Sequence, residues 1–326
     1  MDQTVKIRNI GVLTSGGDAP GMNAVIRAVV RAGINSGYRV YGVRRGYHGL
    51  WRGDYEELNS RSVSETLQRG GTFLMTARSK TFNSPEGVAK AVEMCKIFDI
   101  NVVIAIGGDG TYRGALDLSR AGVPVIGIPG TIDNDIACTD YTIGYDTAMN
   151  TAMECIDKLR DTASSHERCS VIEVMGRKAG YIALNVGIAT GAEVILIPEV
   201  PYDFDRDVIK VLLEGRNRGK RHYIVVVAEG AGSAMDISQR IETITGIESR
   251  PTILGHLQRG GSPTLRDRLM ASLMGSHAID CIKEGRLNSI IAYKHGEVID
   301  IPIEEALQMT KTITIEEFEN AKRLSM

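Results

Sequence analysis

Three glycine-rich turns, each following a short apolar run, hold the residues best suited to chemistry. The first is Thr14-Ser15-Gly16-Gly17-Asp18-Ala19-Pro20-Gly21-Met22-Asn23. Glycines let backbone N–H groups approach an anion closely, and a following helix turns its positive end toward it. Such a turn is either a phosphate cradle or simply tight structure. The second is Gly107-Gly108-Asp109-Gly110-Thr111. Here three glycines and an acid at a helix start suit a phosphate chain with Mg²⁺ on the carboxylate, while the plainer reading is that Asp109 caps the helix. The third is Pro129-Gly130-Thr131-Ile132-Asp133-Asn134-Asp135. Two carboxylates at i and i+2 can face one site, one taking a hydroxyl proton and the other serving metal or hydrogen-bonding duty; alone, the same residues make an Asx-turn. Beside two other phosphate-type loops, Asp133 is the leading candidate for a catalytic base.

A dispersed cationic set completes the inventory: Met175-Gly176-Arg177-Lys178, Gly255-His256-Leu257-Gln258-Arg259-Gly260-Gly261-Ser262-Pro263, and Arg78, Arg168 and Arg250. Arginine binds a phosphate monoester through its bidentate fork, although each of these residues taken alone also reads as a surface charge.

Positioning these groups requires strands that end in loops. Val5 to Leu13, Arg39 to Val43, Val102 to Ile106, Val123 to Ile128, Ser170 to Met175, Val194 to Ile197 and Tyr223 to Ala228 read as strands. Helical patterns run from Met22 to Ala32 and from about Tyr112. Runs without polar alternation suit strands buried on both faces, hence parallel sheets covered by helices. The alternation predicts a doubly wound α/β fold, in which ligands bind outside the carboxyl ends of the strands.

Bulk composition narrows the partners. The 326 residues predict two domains at about 150 residues each. With 38 basic and 40 acidic residues the net charge is -2, which gives no sign of a nucleic-acid or membrane-surface partner. The five cysteines, Cys95, Cys138, Cys155, Cys169 and Cys281, form no C-x-x-C pair and fit buried free thiols in a reducing cytoplasm. No basic-then-apolar leader follows Met1, and no run of about 18 apolar residues offers a membrane span.

Taken together, TSGGDAPGMNAVIR, RGGTFL, GGDGTY, PGTIDNDI, YTIGYDTA, DTASSHER, EVMGRKAGY and GHLQRGGSPTLRDR resemble, in order and spacing, the bacterial ATP-dependent 6-phosphofructokinases. GGDG alone also occurs in kinases of nicotinamide dinucleotide and of lipids. The similarity runs from Ile10 to about Asp280 and weakens after it. The resemblance implies two Rossmann-like three-layer domains, residues 1–144 plus 258–308 for nucleotide and 145–257 plus 309–326 for sugar phosphate, with the active site in the cleft between them. It implies a nucleotide site of Gly17, Tyr47, Arg78, Ser79, Gly108, Asp109, Gly110 and Thr111, with Asp109 on Mg²⁺. Asp133 would be the base toward the 1-hydroxyl of fructose 6-phosphate, with Thr131, Asp135 and Arg177 assisting. Met175, Gly176 and Glu229 match positions on the sugar hydroxyls, and His256 and Arg259 match groups around the 6-phosphate. Arg168 and Arg250 match arginines reaching a neighbouring subunit's 6-phosphate, so the resemblance implies a homotetramer.

Arg27, Arg31, Arg160, Gly191, Glu193, Arg218 and Lys220 match an effector pocket for ADP and phosphoenolpyruvate, in which Ser60, with Arg61 beside it, replaces one arginine. Near the adenine, Ser79 and Asn83 stand where some relatives carry larger or basic residues. Relatives using pyrophosphate carry Asp where this chain has Gly110 and Lys where it has Gly130, so ATP is the implied donor. A pyrophosphate-dependent relative and a catalytically silent metabolite sensor are the other readings. A dehydrogenase is disfavoured because the first turn is not G-x-G-x-x-G.

Overall fold

The computed structural model describes residues 7–77, 79 and 81–324. In chain order the elements are β1 (Asn9–Thr14), α1 (Met22–Asn35), β2 (Arg39–Val43), α2 (Tyr47–Arg52), β3 (Tyr55–Leu58), α3 (Pro85–Ile97), β4 (Val102–Gly107), α4 (Asp109–Arg120) and β5 (Val125–Pro129). They continue with α5 (Tyr145–His166), β6 (Cys169–Val174), α6 (Tyr181–Ala189), β7 (Val194–Leu196), a π-helical turn (Asp205–Ile209) leading into α7 (Lys210–Asn217), β8 (Tyr223–Ala228), α8 (Ala234–Thr245) and β9 (Ser249–Ile253). A 3₁₀ turn (Gly255–Arg259), α9 (Leu265–Glu284), β10 (Ser289–Lys294), β11 (Glu297–Pro302), α10 (Ile303–Ala306) and α11 (Ile315–Leu324) complete the chain.

Two compact units result. Unit 1 holds the described residues up to Ile132, Ile136–Asp146 and Arg259–Thr310; unit 2 holds Asp133–Asp135, Thr147–Gln258 and the described residues from Lys311. The unit 1 sheet has the order β11-β10-β5-β4-β1-β2-β3. Its inner pairs are parallel, and antiparallel pairs occur at both edges, β2–β3 and β10–β11. Every residue of β1, β4 and β5 is buried, as strands covered on both faces must be. One face packs Leu13, Val103 and Ala105 against Leu50, Ala91 and Ala115 of α2, α3 and α4. The opposite face takes α1 and α9. These helices meet at Gly275, where a Cβ would stand 2.7 Å from Ala28 Cβ and 3.2 Å from the Val25 carbonyl oxygen.

From β1 the chain runs outward through β2 to β3 and then returns to place β4 on the other side of β1, so the strand order reverses at the β1–β4 pair. That is where a doubly wound sheet opens a crevice at its carboxyl edge. The first two glycine turns leave these two strands. Unit 2 is a smaller parallel sheet, β7-β8-β6-β9, with a core of Val171, Leu196, Val225, Val227 and Ile241.

The doubly wound α/β expectation holds, with shifted boundaries. β1 is Asn9–Thr14, where the sequence predicts Val5 to Leu13; Val5 and Lys6 lie outside the described residues. α4 starts at Asp109, three residues before the predicted Tyr112. Cys95, Cys138, Cys169 and Cys281 are buried as expected, but Cys155, on α5, is only half-buried.

Candidate active site

In unit 1 the first two turns are tied together by backbone. The Ser15 N–H donates to the Ile106 carbonyl at 2.9 Å. The Thr111 hydroxyl donates to the Ser15 carbonyl at 3.1 Å. The Tyr47 hydroxyl in turn donates to the Thr111 carbonyl at 2.6 Å. Tyr47 is buried and stacked on Phe82, with centroids 4.3 Å apart. Burial drives its hydroxyl pKa well up, so it stays a donor. Tyr47 is therefore a strut beneath the cradle. Gly107 is forced by packing: a Cβ there would meet Thr111 Oγ1 at 2.3 Å and the Ser15 carbonyl at 2.4 Å.

Gly16 adopts φ +90°, and its carbonyl accepts from Thr76 Oγ1 at 2.7 Å. At Gly17 a Cβ would meet Arg259 Nη1 at 2.6 Å. That same nitrogen donates to the Asp18 carbonyl at 2.9 Å. Ser79 Oγ accepts from the Phe82 N–H at 3.2 Å. Arg78 lies outside the described residues.

Asp109 does not cap α4. The N-cap is Gly108, with no side-chain bond, and the Asp109 carboxylate is half in solvent, paired with Arg113 at 3.2 Å. A hard-oxygen donor at a helix start beside a glycine turn fits a divalent cation that is also held by phosphates. Among the described residues His277, Cys281 and Asp300 also bring one donor atom each within 4.8 Å of the others. There the Arg286 guanidinium already bonds Asp300, so the carboxylate has its cation.

Gly110 and Gly130, the two positions the sequence resemblance ties to the choice of donor, differ in their surroundings. A Cβ at Gly110 would meet nothing within 4 Å, so neither packing nor backbone demands glycine there. At Gly130 a Cβ would lie 3.0 Å from Ile106 Cγ2 and 3.3 Å from Met22 Cε, so any side chain there has to displace core.

The third turn follows β5. Gly130 N–H donates to the Gly107 carbonyl at 3.0 Å, and Thr142 Oγ1 donates to the Thr131 carbonyl at 2.7 Å. Thr131 is buried. Asp133–Asp135 belong to unit 2. Asp133 is 1% exposed, and Arg177 Nε stands 3.3 Å from its Oδ2. Asn134 takes φ +52°, and Asp135 is half-buried.

Arg177 is aimed by a charged scaffold at the carboxyl ends of β6 and β8. Glu229 Oε1 accepts the N–H groups of Gly176 at 3.1 Å and Arg177 at 2.6 Å. Gln258, fully buried, accepts the Met175 N–H at 2.8 Å. Gly176 and Arg177 both take positive φ, 145° and 55°. Met175 is buried, whereas His256 is exposed on the 3₁₀ turn. His256 lies in unit 2 and Arg259 in unit 1.

Arg168 and Arg250 lie elsewhere in unit 2, at the amino ends of β6 and β9. Both bond Glu248, Arg168 at 2.9 Å. These bonds, Arg168's foremost, hold the Glu248 carboxyl below its ordinary range. Seven residues of extended chain separate Arg168 from Met175, roughly 23 Å. The two arginines are therefore not brought to the Met175–Arg177 turn of their own chain.

The effector positions divide similarly. Arg27 and Arg31 share α1 in unit 1, and Arg27 is held below the ordinary guanidinium range by burial and then by Arg31. In unit 2, Arg160 bonds the Thr190 carbonyl, next to Gly191 at φ +60°. Buried Glu193 accepts the Ile224 N–H at 2.5 Å and pairs with Lys220. Glu193, Arg218 and Lys220 line a cavity of about 260 Å³ that is also walled by Leu196 and Phe318. Sequence reasoning missed Glu248 and Lys311, whose Nζ donates to the Asn134 carbonyl at 2.9 Å, and named Gln258 only within its segment. Neither Glu248 nor Lys311 sits in a glycine turn, whereas Gln258 lies in the GHLQRGG segment that gave a signal.

No helix among the described residues is long and apolar enough to cross a membrane. A family model described as Phosphofructokinase matches residues 9–282. ATP-dependent 6-phosphofructokinase of Clostridium tetani is 51% identical over 319 residues, covering 98% of this chain and 100% of that protein. Its counterpart from Alkaliphilus metalliredigens is 51% identical over 320 residues, with the same coverage. Among solved structures, phosphofructokinase from Saccharomyces cerevisiae superposes with TM-score 0.88 at 35% identity, over 98% of this chain and 48% of that one. The pyrophosphate-dependent phosphofructokinase of Marinobacter aquaeolei superposes with TM-score 0.85 over 95% of this chain and 86% of that one; at 22% identity it speaks for the fold alone.

Proposed function

Because this chain belongs to the phosphofructokinase family, we propose residue roles for its reaction, in which a phosphoryl group passes from ATP to fructose 6-phosphate. The products are ADP and fructose 1,6-bisphosphate. The pyrophosphate-dependent and catalytically silent readings are not favoured at this identity to ATP-dependent enzymes. Glycolysis is the setting of this step.

Unit 1 takes the nucleotide and unit 2 the sugar phosphate. The β1 and β4 turns cradle the phosphates through Gly17, Gly108 and Thr111, helped by the positive start of α4. The reaction needs a divalent metal. Mg²⁺ is the ion proposed; Asp109 would hold it, and it would supply positive charge to offset that of the phosphates. Asp133 takes the proton of the 1-hydroxyl. The 1-oxygen then forms its bond to the γ-phosphorus as the bond from that phosphorus to the β–γ bridging oxygen breaks, leaving ADP. Arg177 offsets charge on the transferring group, and Thr131 and Asp135 hold the acceptor hydroxyl in line. Met175, Gly176 and Glu229 face the sugar, and His256 and Arg259 its 6-phosphate.

The observation that carries this reading is Asp133, nearly fully buried and ion-paired to a half-exposed Arg177. Asp133→Ser should fold and still bind fructose 6-phosphate, with turnover lowered by about 10²-fold or more. Wild-type turnover would remove Asp133 as the base.

Arg168 and Arg250 sit one strand length from Met175, which supports their serving a neighbouring subunit's 6-phosphate in a cytoplasmic homotetramer. The 260 Å³ cavity supports an effector site in unit 2 for ADP and phosphoenolpyruvate. Arg27, held below the ordinary guanidinium range by burial and then by Arg31, would with Arg31 supply cations to that site from a neighbouring subunit.

A further inference from the structure

We propose that Lys311 is a positioning residue for the catalytic turn, holding the peptide between Asp133 and Asp135 so that the Asp133 carboxylate keeps its aim. This rests on Asp133 being the base. Lys311 opens the stretch of chain that returns to unit 2, in the segment where resemblance to the family is weakest. Its Nζ donates to the Asn134 carbonyl at 2.9 Å and lies 4.8 Å from the centre of the Tyr181 ring.

Three features make this contact more than a surface tether. Asn134 takes φ +52° and is buried, so the turn has a defined left-handed geometry of the kind asparagine tolerates better than most residues. The bonded carbonyl belongs to the peptide joining Asn134 to Asp135, one residue from Asp133. A rotation of that peptide re-aims the carboxylate. Third, the lysine's seat is rigid. Tyr181 begins α6, and α11, which follows Lys311, packs on α6. An ammonium over an aromatic face is held electrostatically as well as by its hydrogen bond.

The turn is thus gripped from two sides within unit 2. Arg177 Nε approaches Asp133 Oδ2 at 3.3 Å, and Lys311 fixes the next carbonyl. Arg177 has a further duty on the transferring group in the proposed reaction, so it cannot be a fixed clamp throughout. Lys311 grips the turn through a backbone carbonyl, a contact that can persist in every state.

The test compares Lys311→Met, of similar length without a donor, with Lys311→Arg, which keeps charge and donor. Lys311→Met should lower kcat by about tenfold, since sub-ångström misplacement of a reacting group costs up to about 10²-fold. KM for ATP should stay within about twofold, and the melting temperature should fall by no more than about 6 °C, because a single part-buried hydrogen bond from a charged donor is a small share of the whole chain's stability. Lys311→Arg should recover most of kcat. In the Asp133→Ser background, Lys311→Met should cost nothing further, because both act through one group.

Unchanged kcat in Lys311→Met, or an equal additional loss in Asp133→Ser, overturns the positioning role. If Asp133→Ser itself keeps wild-type turnover, the failure lies with the base. If Lys311→Met folds poorly, Lys311→Gln is read by the same kcat criterion.

Discussion

The two units build their turns from opposite materials. In unit 1 the phosphate-type loops are fixed mostly by backbone and by neutral side chains spent on carbonyls, Ser15 N–H on Ile106, Thr111 on Ser15 and Tyr47 on Thr111, with one cation, Arg259, on the Asp18 carbonyl. In unit 2 the turn bearing Arg177 is held by ionised or amide side chains, Glu229 on two N–H groups and Gln258 on a third. A backbone cradle presents N–H groups to a ligand of fixed charge and needs no side chain of its own. A turn that must aim a guanidinium needs counter-charge behind it. Unit 1 should therefore fail by added volume, and unit 2 by removed charge.

Gly107→Ala gives the largest expected effect of this kind. Its Cβ is driven into Thr111 and Ser15, so overpacking should cost about 1–3 kcal/mol and lower the melting temperature by several degrees. ATP affinity should fall with it, because the cradle itself moves. Thermal unfolding with and without ATP reads both. Gly110 sharpens the contrast. Gly110→Ala should leave stability unchanged, its Cβ meeting nothing within 4 Å. Gly110→Asp should weaken ATP by about 1–4 kcal/mol through charge repulsion at about 4 Å, with no matching fall in melting temperature. A melting temperature lowered equally in Gly110→Ala and Gly107→Ala would erase the distinction.

In unit 2, Glu229→Gln preserves shape but weakens both N–H bonds. Turnover and the KM for fructose 6-phosphate should worsen by about tenfold, since a hydrogen bond to a charged group contributes about 1.5–3 kcal/mol, while ATP binding to unit 1 stays unchanged. Steady-state kinetics with each substrate varied checks this.

A smaller effect concerns α11. Asp207 pairs with Arg206 and with Lys322 of α11, and its carboxyl is drawn down to about 2, foremost by Arg206. A carboxyl depressed in the fold contributes stability above its unfolded value near 4, and that contribution is lost as pH falls toward about 2. Asp207→Asn should flatten stability against pH in that window.

The smallest effect is chemical. Burial raises the thiol of Cys95 to about 11, that of Cys169 to about 12 and that of Cys281 as well, and Cys138 is also buried, leaving half-buried Cys155 as the thiol expected to react fastest in the native enzyme at pH 8. Peptide mapping after brief alkylation reads it.

Much of this was legible in advance because the signals were local. Val102 to Ile106 is apolar without a break, and its strand is buried throughout. The turns announced themselves by glycine after such runs. Other elements hid for physical reasons. β9 contains Pro251, which argues against a strand; it is tolerated because β9 is an edge of its sheet. The β10–β11 hairpin turns at His295 and Gly296, both at positive φ, a weaker turn signature than Asn-Gly. At the site, no local pattern tells that Asp133 is buried against Arg177, 44 residues away in sequence, or that Glu248 joins two arginines. Those facts belong to packing.

The catalytic turn grows from a unit 1 strand, yet its acid belongs to unit 2, and each unit is assembled from three separate stretches of chain. No single peptide-bond cut releases either unit whole. A fragment beginning at Thr147 leaves Asp133 behind, and one ending at Thr310 loses Lys311. Splitting this enzyme into two separately expressed halves would therefore require reconnecting the polypeptide in a new order, since shortening it always strands some part of the catalytic turn's support.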